Sequence, residues 1–178
     1  MGTIERKPIC GIDPGQKGGL VILDSNRKII YKLPFDDAKG QFRIKEFRTA
    51  LLKVRKLGAI VYLESVHAMF RTSAGSNFSF GHINGIIYGM LYAYKIPFTK
   101  MTPGKWQKIA WEGIPIKKLA GKPQKGRGGK DTKAMSLMAV TRLFPSVNLV
   151  RTEKCKKAHD GMVDALLMAY YGYTINNY

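Results

Sequence analysis

Ten residues near the C-terminal end constrain this chain more than any others. From Met162 to Tyr171 it reads Met-Val-Asp-Ala-Leu-Leu-Met-Ala-Tyr-Tyr, a helix apolar all round except at Asp164. A helix of that kind is buried, which makes Asp164 an acid of the interior. Asp160 lies one turn earlier on the same face, and a like-charge pair at that spacing costs ~0.2–0.5 kcal/mol even when exposed. Something positive is therefore expected between them. Asp160 also falls in the first helical turn, where the macrodipole favours a carboxylate, so plain capping is its structural alternative.

The rest of the chain supplies layers to bury such a helix. Pro8 to Asp13, Gly19 to Leu23 and Lys28 to Leu33 are short β-rich runs separated by Pro14-Gly15 and Ser25-Asn26, which predicts a three-stranded antiparallel meander. At Ile44 the period lengthens: Ile44, Phe47, Leu51 and Val54 follow helical spacing until Gly58. Ala59 to Leu63 is apolar throughout, as a strand covered on both faces would be. Helical spacing returns at Phe80, Ile83, Ile87 and Leu91. Pro97 to Met101 reads as a strand, and Thr102-Pro103 as an N-cap and first turn leading through Trp106 and Trp111. Asp131 or Thr132 caps a further helix that Phe144-Pro145 closes. The βββαβαβα order predicts an α/β fold, a mixed sheet of antiparallel meander plus parallel strands flanked by helices, in one domain over 1–178.

Charge then selects the partner. Thirty Lys and Arg stand against twelve Asp and Glu, a net +18 in 178 residues, with 45% hydrophobic residues to build a core. A field of that sign attracts polyanions, and nucleic acid is the default. The bases are spread over the chain rather than along one amphipathic face, and no run reaches the ~18–20 apolar residues of a membrane span, so no membrane partner is expected. Two cysteines indicate neither a disulfide scaffold nor a zinc cage, and a cytoplasmic location is expected. Between Lys117 and Lys130, six bases and four glycines in fourteen residues with no acid predict a flexible basic loop that orders on phosphate backbone.

Against this background four acids are out of place. Asp13 and Glu64 each end an apolar strand, and Asp160 and Asp164 share a helix face. An isolated ionised carboxylate in such surroundings costs several kcal/mol, roughly, unless it is paired or holds a metal. Carboxylates without a Cys or His pair suit Mg²⁺ or Mn²⁺. Two such ions about 4 Å apart can hold a scissile phosphate, activate water and stabilise a leaving oxygen.

Gly11-Ile12-Asp13-Pro14-Gly15 with Gly18-Gly19, the strand end Leu63-Glu64-Ser65, and His159-Asp160-Gly161-Met162-Val163-Asp164-Ala165-Leu166 together resemble the RuvC family of Holliday-junction resolvases. The likeness is nearest to bacteriophage-encoded members, extends to chloroplast resolvases, and runs in family order from residue 9 to about 172. It implies an RNase H-like fold, a homodimer, and paired, divalent-metal-dependent nicks in four-way DNA. A host-cell cytoplasm or nucleoid would then be the setting.

Carried over residue by residue, the resemblance implies that Asp13, Glu64 and Asp164 are catalytic metal ligands, with two ions per site. The fourth ligand is Asp160, His159 or both, because the last two family acids are three apart in bacterial RuvC and four apart here. Lys130 falls where the family has a lysine near the scissile phosphate. The loop after Glu64 is where the family inserts a residue at the junction crossover; Phe70 is the expected wedge, with Arg71 beside it on DNA. Lys105, Lys117, Lys118, Lys122, Lys125 and Arg127 are expected DNA contacts, and Trp106 and Trp111 are assigned no function. The dimer interface is expected on the helix from Phe80 to Tyr94, through Ile86, Ile87, Met90 and Leu91. Two other readings compete: a related RNase H-like nuclease for flaps or RNA:DNA hybrids, and a non-catalytic DNA-architectural protein. The second leaves four misplaced acids unexplained.

Overall fold

A computed structural model describes residues 6–66, 73–119 and 129–176. Among these residues five strands form one mixed sheet in the order β3-β2-β1-β4-β5. They are β1 (Ile9–Asp13), β2 (Gly19–Leu23), β3 (Ile29–Pro34), β4 (Ile60–Glu64) and β5 (Phe98–Met101). The first three make the expected meander, and β4 and β5 continue it in parallel beside β1. Helices α1 (Ile44–Lys56), α2 (Ala74–Ala93), α3 (Pro103–Ala110), α4 (Thr132–Leu143) and α5 (Asp160–Ile175) cover both faces.

Strand side chains alternate between faces, and here they divide the core in two. Cys10, Ile12, Leu20, Ile22, Val61 and Leu63 pack against α1 and α2. Ile9, Val21, Leu23 and Tyr62 point the other way, into a cluster with α3, α4 and α5. The same alternation sends Asp13, in phase with Ile9, and Glu64, in phase with Tyr62, to the α5 face. The expected buried helix is α5, with Leu166, Leu167, Met168 and Ala169 wholly inaccessible.

Helix α2 begins six residues before the first predicted apolar position, at Ala74, because the Ser73 hydroxyl accepts from the Ser76 backbone N–H at 3.1 Å. Its first turns are exposed and carry no apolar period to read. The interface proposed on its apolar residues needs correction. Ile87 and Leu91 are fully buried in this chain's own core, and Ile86 and Met90 pack against it. Phe78, Gly81, Gly85, Gly89 and Tyr92 form the open face instead.

Candidate active site

Two strand ends and one helix bring Asp13, Glu64, Asp160 and Asp164 within electrostatic reach of one another. β1 and β4 run parallel with Ile12 opposite Leu63, so one step further Asp13 and Glu64 lie side by side at the carboxyl ends of their strands. Beyond β1 the sheet reverses, since β2 is antiparallel.

Helix α5 brings its acids to this point by unusually close packing. A Cβ on Gly11 would sit 2.0 Å from the Ala165 carbonyl oxygen, and one on Gly161 would sit 2.3 Å from the Lys17 carbonyl oxygen. Only glycine on both partners lets the helix lie on β1 and on the β1–β2 turn, which sets Asp164 against the strand carrying Asp13. The glycines flanking Asp13 and Asp160 therefore serve contact between backbones.

The electrostatics follow from that crowding. Burial holds the Asp13 carboxyl well above the ordinary range, and Asp164, Glu64 and Asp160 raise it further. Asp164 is pushed up to about 7, chiefly by burial; a hydrogen bond from Ser136 and the charge of Lys133 oppose this, while Glu64 and Asp160 add to it. Glu64 is raised by burial too, against a hydrogen bond from the Trp106 indole N–H to its Oε1 at 2.8 Å. Trp106 is buried on α3, and nothing in a sequence separates a core tryptophan from one that donates to a carboxylate. The cation expected near Asp160 and Asp164 is Lys133, on the first turn of α4, paired with Asp160 Oδ2.

His159 is occupied otherwise. Its Nδ1 accepts from the Met162 backbone N–H at 3.3 Å as the α5 N-cap, and its Nε2 lies 2.7 Å from Asp36 Oδ1. An accepting Nδ1 requires the proton on Nε2, which donates to Asp36. Arg151 also donates to Asp36, at 2.9 Å. Both ring nitrogens are thus committed within the protein, whereas Asp160 is exposed beside the cleft.

The donor set fits a hard divalent cation: carboxylate oxygens that raise one another's proton affinity, with Lys133 as the nearby positive charge. In the arrangement seen, no three His, Cys, Asp or Glu side chains among the described residues are gathered tightly enough to hold an ion. The acids raise one another's proton affinity without closing on a common centre.

The basic candidates divide. Lys130 is exposed and bridges Lys118, while the Leu119 N–H donates to Gly129 O and the Asp131 N–H to Lys117 O, so the ends of the basic loop pair as a short stem. Lys105 is exposed in the first turn of α3. Phe70, Arg71, Lys122, Lys125 and Arg127 lie outside the described residues.

The fold is that of the RuvC resolvases, RNase H-like. The structure of Thermus thermophilus RuvC in complex with a Holliday junction substrate superposes with a TM-score of 0.59 at 15% identity, covering 96% of this chain and 95% of that one. A Thermus thermophilus RuvC structure gives 0.57 at 15% identity, covering 95% of each. No family model matches the sequence, and no curated protein sequence matches it.

Proposed function

We propose that the chain is a Holliday-junction resolvase, a divalent-metal-dependent endodeoxyribonuclease that places paired symmetrical nicks in four-way DNA. The observation that carries this reading is the acid cluster: Asp13 and Glu64 side by side at the ends of parallel strands, within electrostatic reach of Asp164 on α5, in a chain of net charge +18. Structural carboxylates gain nothing from such crowding, whereas metal-binding ones require it. The likeness to RuvC in fold supports the same reading.

Asp13, Glu64, Asp164 and Asp160 would hold Mg²⁺ or Mn²⁺, which when bound activates water and stabilises the leaving oxygen. Asp160 is preferred to His159 because the imidazole is used in capping. Trp106 orients Glu64, and Lys133 offsets charge at Asp160 and Asp164. Hydrolysis adds hydroxyl to phosphorus and a proton to the 3′ oxygen, leaving 5′-phosphate and 3′-hydroxyl ends.

Two cuts need two sites, and a two-fold dimer supplies them with the symmetry of the junction. The open face of α2 suits a second copy. Phe78 is 76% and Tyr92 68% exposed, and Cβ atoms on Gly81, Gly85 and Gly89 would meet nothing within 4 Å among the described residues. A glycine stripe flanked by exposed aromatics permits close helix approach. The test is a cleavage panel of labelled four-way junction, flap and RNA:DNA hybrid with Mg²⁺. The junction is expected to be cut at symmetrical positions; preference for flap or hybrid would assign the cleft to a related RNase H-like nuclease.

A further inference from the structure

A basic surface beside Asp160 is one that no motif marks. Between α4 and α5 the chain makes a short excursion, Arg151-Thr152-Glu153-Lys154-Cys155-Lys156-Lys157, closed at its base by the bridge of Val150 with Ala158 and by the His159 N–H donating to Leu149 O at 2.8 Å. Its tip is tightened by the Cys155 N–H donating to Thr152 O at 2.9 Å. Arg151 is spent on anchoring, with Nη1 donating to Asp36 Oδ2 at 2.9 Å and Asp37 O at 3.2 Å.

The remaining bases have no such task. Lys154, Lys156 and Lys157 are exposed, Lys17 projects from the β1–β2 turn, and none of the four makes an ion pair among the described residues. Lys17, Lys156 and Lys157 line a groove of about 510 Å³ together with His159 and Asp160, the exposed member of the four acids. Four unpaired cations against one loop acid, Glu153, on a pinned scaffold leading to a site for phosphodiester chemistry are arranged for a polyanion rather than for stability. Unpaired surface lysines add little to folding, but each phosphate they neutralise releases counterions.

We infer that this groove is a second phosphate-backbone track, in which Lys17, Lys156 and Lys157, with Lys154 beside them on the same excursion, hold the DNA strand that passes Asp160 toward the other acids. The assignment rests on the nuclease reading for its direction, toward the scissile phosphate. Whereas the 117–130 loop was legible from composition, these bases are separated in sequence and the fold brings Lys17 to the others.

Cys155 lies in the groove and provides the probe. The Thr152 hydroxyl and backbone hold its thiol below the ordinary thiol range, while Cys10, the other cysteine, is fully buried. With the full chain in EDTA, so that DNA stays uncut, alkylation of Cys155 by iodoacetamide is followed with and without saturating four-way junction. Protection of tenfold or more is expected, reversed at high salt. Lys156→Gln with Lys157→Gln should lower the slope of log K against log salt by ~1–2. A charge-matched control on α1, Lys53→Gln with Lys56→Gln, should leave that slope unchanged. If bound junction leaves the alkylation rate and the slope of the groove variant unaltered, the track is wrong and the resolvase reading stands. If junction is neither preferred nor cut but duplex DNA protects Cys155, the track stands and the resolvase reading fails.

Discussion

Asp164 carries the sharpest consequence at the scale of single residues. Its carboxyl, raised to about 7 from an ordinary value near 3.8, holds more proton folded than unfolded between those limits. Stability of the metal-free protein therefore falls as pH rises from about 4 to about 7, and the cost is complete above the folded value. Asp164→Asn removes that cost. It should stabilise the metal-free chain above pH 7 by ~1–4 kcal/mol in urea titrations while lowering cleavage by ~10²-fold or more. A variant less stable than the parent at pH 8 would show that the acid is satisfied by the protein alone. Trp106→Phe keeps an aromatic side chain but loses the donor to Glu64 and leaves a core cavity; the Mg²⁺ concentration for half-maximal cleavage should rise by ~10-fold and thermal unfolding should move down. An unchanged Mg²⁺ response would reduce Trp106 to packing.

Between elements, the decisive contact is α5 on β1. Gly11→Ala places a Cβ 2.0 Å from the Ala165 carbonyl oxygen, and neither backbone can yield cheaply. We expect a loss of ~1–3 kcal/mol by chemical denaturation, with cleavage impaired because Asp164 shifts against Asp13. Much of this layer was readable beforehand. The all-apolar run Ile60 to Leu63 reads as a strand and the period of α1 as a helix, and an acid at the end of β1 or of β4 stands out. What could not be read depends on neighbours distant in sequence: Lys133 opposite Asp160, Asp36 fixing the His159 ring, and Trp106 reaching Glu64 across 42 residues. The start of α2 is not legible because its exposed turns need no apolar spacing, and that Ile87 and Leu91 serve this chain's own core rather than an interface is not legible either, because apolar residues do not announce which core they serve.

For the whole molecule, symmetry is the issue. One cleft cuts one strand, so the resolvase account requires a second copy, and Gly85→Leu on the open face of α2 should convert dimer to monomer in sedimentation while leaving thermal unfolding of the protomer close to the parent's. The central claim is tested most directly by a supercoiled plasmid extruding a cruciform, incubated with the protein and Mg²⁺. Paired cuts within one binding event convert it straight to linear DNA, and the account predicts linear product from the start, abolished by Asp13→Asn. Accumulation of nicked circles alone, or linear product that persists in the Asp13→Asn variant, would contradict it.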